Sequence, residues 1–161
     1  MSQRDERFDQ EEQTESVVIN FLRNKYSNYP YNFIHNTTEN GNGKKIGYNA
    51  KHGDLIIESK KTNEKIEIDL KRLYNDSFFI SDRCIKNFKG NYLLIYSLQN
   101  NSIKEDSIYL FNFDAVKKYF ESCERKNRIK DTGFKSKHKG YRIPISSFKN
   151  KSKIERLFEF L

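Results

Sequence analysis

Apolar residues recur along this chain with two periods, and each period predicts an element. Val18, Ile19 and Leu22 recur at helical spacing and predict a first helix over residues 9–26. Leu55 and Ile57 alternate with polar neighbours up to a turn at residues 60–63. Beyond it the alternation is strict: Ile66, Ile68 and Leu70 face one side of a strand, and Glu67, Asp69 and Lys71 face the other. After Lys71 comes a polar stretch, then a helix over residues 81–88 with Ser81 as its cap. Residues 91–98 and 107–113 read as apolar strands separated by Gln99-Asn100-Asn101, a hairpin signal. Asp114 is placed to cap a helix that runs to residue 125 and buries Val116, Tyr119 and Phe120. A short strand over residues 141–148 and a closing helix from residue 153, with Leu157, Phe158 and Leu161 inward, complete the series. Residues 36–53 hold four of the seven glycines and read as a loop. No repeat appears and no linker is long enough to divide the chain, so residues 1–161 are expected to form a single domain.

The hairpin over residues 54–71 carries the most chemistry. If its turn is a four-residue loop, Ser59 pairs with Glu64 and, counting outward, Asp54 falls opposite Asp69, on the face that also carries Lys71. Two carboxylates and an ammonium then share one small site. Like charges in contact are costly unless a cation lies between them, and a hard divalent ion such as Mg²⁺, with Mn²⁺ as substitute, suits such oxygen donors. The plainer reading of the same residues is a solvated strand face with ordinary cross-strand ion pairs. Glu67 shares the face but lies about 7 Å farther from the end that carries Asp54.

An acid opening one strand and acid-x-lysine closing the next resembles the signature of the PD-(D/E)xK nuclease superfamily. The matching residues are Asp54, Asp69 and Lys71, with Gly53 where a proline is common and Asp at the second acidic position. The order helix, three strands, helix, strand, strand, helix fits the α/β (α+β) restriction-endonuclease-like core, a mixed central β-sheet flanked by helices. Residues 92–96, 108–126 and 139–145 are similar to the corresponding run of PvuII-type type II restriction endonucleases. The paired asparagines that read bases there are replaced by Lys139 and Gly140. The resemblance implies that Asp54, Asp69 and the main-chain carbonyl of Leu70 bind the metal, while Lys71 orients the attacking water or stabilises charge on the phosphorane. It also implies an acid on the first helix near the metal. Glu15, one turn before Val18 on the apolar side, is the candidate, with Glu11 and Glu12 competing and a first-turn acid favoured by the helix dipole as the plain alternative. His35 and His52 lack a recognisable partner along the chain.

Composition narrows the setting. Net charge is +8, from 30 Lys and Arg against 22 Asp and Glu, which favours a polyanionic partner, although coding bias toward Lys, Asn and Ile gives the same balance. The basic run over residues 126–142, interleaved with aromatics and opposed by Asp131 alone, is the candidate DNA contact. Lys135 and Lys137 are expected on phosphates, Lys139 there or at base edges, and His138 and Arg142 at base edges. Two cysteines without a pattern exclude a disulfide framework or zinc site. The polar, acidic N-terminus carries no signal region and no run approaches a membrane span, so a cytoplasmic protein without membrane association is expected. The function expected is Mg²⁺-dependent endonuclease cleavage of duplex DNA by a homodimer, as in restriction, without a small-molecule cofactor. A structure-selective nuclease resembling Holliday junction resolvases, a homing endonuclease and a non-catalytic nucleic-acid-binding module remain alternatives.

Overall fold

The computed structural model describes residues 3–36, 53–125, 140–148 and 154–159, with the backbone alone for residues 3–13 and 123–125. Helix α1 (Gln3–Lys25) leads to strands β1 (Tyr31–His35), β2 (Leu55–Ser59), β3 (Lys65–Arg72) and β4 (Ser77–Ser81). Helix α2 (Asp82–Asn87), β5 (Tyr92–Tyr96), the short pair β6 (Leu98–Gln99) and β7 (Ser102–Ile103), β8 (Tyr109–Asn112), α3 (Phe113–Arg125) and β9 (Gly140–Pro144) follow. The central sheet has five strands in the order β1-β2-β3-β5-β8. β1, β2 and β3 are antiparallel, β3 and β5 are parallel, and β8 returns antiparallel to β5. A parallel pair needs a crossover, and here β4 and α2 supply it.

Alternation along the strands fills both faces of this mixed α/β sheet. Ile66, Ile68, Leu70, Leu94 and Tyr96 pack on one side against Val18, Ile19 and Leu22 of α1 and against Ile154 and Leu157 of the last turn, Ile154–Glu159. Leu93, Ile95 and Phe111 pack on the other against Phe78 and Ile80 of β4, Ile143 of β9, and Val116 and Phe120 of α3. The last turn is a 3-10 segment rather than the α-helix the apolar spacing predicts, although Leu157 does point inward. Glu67, Asp69 and Lys71 belong to the β4–α3 side; Glu67 still pairs with Ile56, whereas Asp69 and Lys71 lie beyond the end of β2. No helix among the described residues is long and apolar enough to cross a membrane.

Candidate functional site

The β2–β3 hairpin closes as the alternation predicts. Ser59 N–H donates to Glu64 O at 2.9 Å, Asn63 takes the left-handed conformation (φ 59°), and Leu55 pairs with Ile68. One step outward, Asp54 therefore faces Asp69, and their carboxyls are in hydrogen-bonding contact. Asp54 Oδ2 also accepts the Leu70 N–H at 3.0 Å. The N–H and C=O of one strand residue point to the same edge, so the Leu70 carbonyl is directed to the Asp54 side, past the end of β2. Lys71 Nζ donates to Asp69 Oδ2 at 2.9 Å. The hairpin brings Asp54, Asp69, Leu70 and Lys71 together at one sheet end.

Structure adds two supports that the sequence pattern did not signal. Asn36, just past β1, donates its backbone N–H to Asp54 O at 2.9 Å and its side-chain amide to Gly53 O at 3.1 Å, so the peptide that carries Asp54 is held from both sides. Gly53 lies so close to β3 that a Cβ there would sit 2.6 Å from the Ile68 carbonyl oxygen. That contact explains a glycine before the acid: neither alanine nor proline fits without moving the backbone. The second support is Cys84. Ser81 caps α2 by accepting the Cys84 N–H at 3.0 Å, and the helix turn places the Cys84 Sγ 3.6 Å from Asp69 Oδ2, as a weak donor.

Charge in this site is strongly coupled. Burial pushes Asp69 up to about 7; the Lys71 ammonium pulls it back and the Asp54 carboxylate raises it further. Burial opposes the charged form of Lys71, but the Asp69 and Asp54 carboxylates outweigh it and hold the ammonium well above the ordinary lysine range. Cys84 is pushed up to about 12, first by burial and then by Asp69, so it stays a thiol at neutral pH.

Glu15 is 7% exposed, and its Oε2 lies 3.1 Å from Nε2 of His35, the last residue of β1. His35 thus has a carboxylate partner, contrary to the sequence reading, because the two residues meet only when β1 packs on α1. The pair lies on the α1 side of the sheet, whereas Asp69 and Lys71 lie on the other. Both nevertheless belong to the same end. Tyr96 is pushed up to about 12, first by burial and also by the charges of Glu15 and Asp54. The side chains of Glu11 and Glu12 lie outside the described residues. A groove of about 670 Å³ between α1 and β1, walled by Ser16, Asn20, Arg23, Asn32, His35 and Lys60, does not include Asp54, Asp69 or Lys71.

Of the predicted DNA contacts, Lys135, Lys137, His138 and Lys139 lie outside the described residues, as do His52 and the loop over residues 37–52. Arg142 is exposed on β9, where its Nη1 donates to Ser77 Oγ at 3.2 Å.

Among the described residues no three His, Cys, Asp or Glu side chains converge as a metal-binding cluster. The donors at hand are the two carboxylates and the Leu70 carbonyl, all hard oxygen. Mg²⁺ is commonly held by one or two carboxylates together with substrate phosphate and water, so this set fits it. Burial first, and the Asp54 carboxylate after it, raise Asp69 against the pull of Lys71. Compared with protein-family models and with curated proteins, the chain matches none.

Proposed function

We propose that this protein is a metal-dependent endonuclease that hydrolyses phosphodiester bonds in duplex DNA, on a PD-(D/E)xK core and as a homodimer. One observation carries the reading: Asp54 and Asp69 oppose each other in register at a sheet end, with Lys71 paired to Asp69 at 2.9 Å. The mixed strand order, with three antiparallel strands followed by a parallel fourth, supports it. So does the net charge of +8.

Asp54, Asp69 and the Leu70 carbonyl would hold Mg²⁺ or Mn²⁺, which supplies Lewis-acid polarisation of the scissile phosphate and lowers the pKa of water nearby. Lys71 keeps its proton and presents a cation where the attacking water enters and where negative charge grows on the phosphorane. As the water oxygen bonds to phosphorus, the opposite P–O ester bond breaks. Water's proton is lost and the departing oxygen gains one. Asn36 and Gly53 act on none of these atoms; they fix the position of Asp54.

Purified protein incubated with Mg²⁺ tests this against supercoiled plasmid, linear duplex and a four-way junction, each with an EDTA control. Discrete Mg²⁺-dependent fragments from plasmid support a restriction-type activity. Preferential junction cutting favours the resolvase alternative, and metal-independent binding with no cleavage of any substrate leaves a binding module.

A further inference from the structure

The strand that carries Asp69 and Lys71 ends one residue later, at Arg72, and the chain then reverses through a tight turn. Tyr74 and Ser77 exchange backbone hydrogen bonds at 2.8 and 3.0 Å, while Asn75 (φ 48°) and Asp76 (φ 65°) are both left-handed, as a type I′ turn requires. Neighbours tie the turn down. Leu73 N–H donates to Tyr96 O at 2.7 Å, and Ile145 N–H donates to Asp76 O at 2.8 Å. Two guanidiniums flank it. Arg142 reaches Ser77 Oγ from β9, and the Arg72 guanidinium carbon lies 4.7 Å from the centroid of the Tyr74 ring, itself 51% exposed.

Arg72 has an unusual defect. Its Nε is buried and has no hydrogen-bond partner among the described residues. A cation over a ring is held through its face, and that contact leaves the in-plane N–H donors unused. A buried charged donor without an acceptor is costly, and native structures rarely keep one unless something else supplies the acceptor. The planar fork of a guanidinium matches the oxygens of a phosphate. Arg72 alternates with Lys71 onto the α1 face at the same strand end, paired with Tyr96, and a nucleic-acid strand crossing that end would bring an anionic oxygen.

We infer that Arg72 binds a phosphate of the DNA strand next to the scissile one, that Tyr74 is a positioning residue holding the guanidinium plane, and that Arg142 takes a further phosphate across the same turn. This rests on the nuclease reading and extends it by assigning which surface grips the backbone beside the cut.

Binding of a fluorescent duplex in EDTA, measured by anisotropy over a range of salt, tests the inference apart from cleavage. Arg72→Gln should weaken binding about tenfold and reduce the slope of log K against log salt by about one unit, a change a purely structural residue does not produce. Arg72→Lys should restore the slope without the full affinity, since lysine offers a point charge and no fork. Tyr74→Phe should match the parent, and Tyr74→Leu should lose affinity at unchanged slope. If a folded Arg72→Gln protein keeps the parent's affinity and slope while the parent cleaves DNA, this inference fails and the nuclease reading stands. If the parent neither binds nor cleaves duplex, both fail. Should Arg72→Gln not fold, Arg72→Lys carries the test: weakened binding at unchanged slope supports the inference, and the parent's affinity overturns it.

Discussion

Burial, opposed by Lys71 and assisted by Asp54, raises Asp69 to about 7, against 3.8 for an ordinary aspartate, so without metal the folded state keeps this proton until pH approaches 7. The stability this contributes is full below about pH 4 and is lost as pH rises through about 7. Asp69→Asn carries no charge at any pH. In EDTA it should match the parent near pH 4 and exceed it by roughly 4 kcal/mol near pH 8, as read by chemical denaturation. Parallel pH profiles for the two proteins would contradict the coupled carboxylate pair. Mg²⁺ should stabilise the parent at pH 8 and leave the variant nearly unchanged. Gly53 gives a second expectation at this scale. Its close approach to the Ile68 carbonyl means that Gly53→Pro should lower stability by roughly 1–3 kcal/mol and displace Asp54. Melting curves and cleavage rates that equal the parent's would show that the backbone yields freely there.

Elements differed in how far they could be read from the chain. The β2–β3 hairpin was legible because period-two alternation and a polar four-residue turn fix register together, and Asp54 then falls opposite Asp69 by counting. α1 and α3 were legible from their apolar stripes: Val18, Ile19 and Leu22, then Val116 and Phe120, are buried as predicted. β4 was not. Ser77–Ser81 alternates over only five residues, and what makes it a strand is pairing with β9, some sixty residues away. The cap of α3 also differs from expectation, since Asn112 Oδ1 accepts the Asp114 N–H while Asp114 sits in the first turn. Asn36 and Cys84 join the site, and His35 meets Glu15, only through long-range packing, which no local spacing encodes. Ser81 is the cap that was legible, and it also aims Cys84 at Asp69. Ser81→Ala should cost about 1 kcal/mol in denaturant unfolding, and a change below a few tenths would mean that the cap is not stabilising α2.

For the whole molecule, charge, size and the position of the site at a sheet end bear on assembly. One such site cuts one strand, so double-strand cleavage calls for two protomers related by two-fold symmetry. Sedimentation should give about twice the 19.3 kDa chain mass, alone or with duplex DNA; a monomer under both conditions would point to nicking instead. The basic run over residues 126–142 should also contribute to binding, with Arg142 as its described end on the same face of the turn as Ser77. Replacing Lys135, Lys137 and Lys139 by alanine should flatten the salt dependence by about one unit per lost phosphate contact, and the parent's slope would exclude them. The central claim is that Asp54, Asp69 and Lys71 form one hydrolytic site. It is tested most directly by plasmid cleavage in Mg²⁺ with the parent beside Asp54→Asn, Asp69→Asn and Lys71→Ala, each checked for fold and DNA binding. The account predicts cleavage by the parent, loss of at least about a hundredfold in every variant, and binding retained in all. Full activity in any one of the three, or no cleavage by the parent, would contradict it.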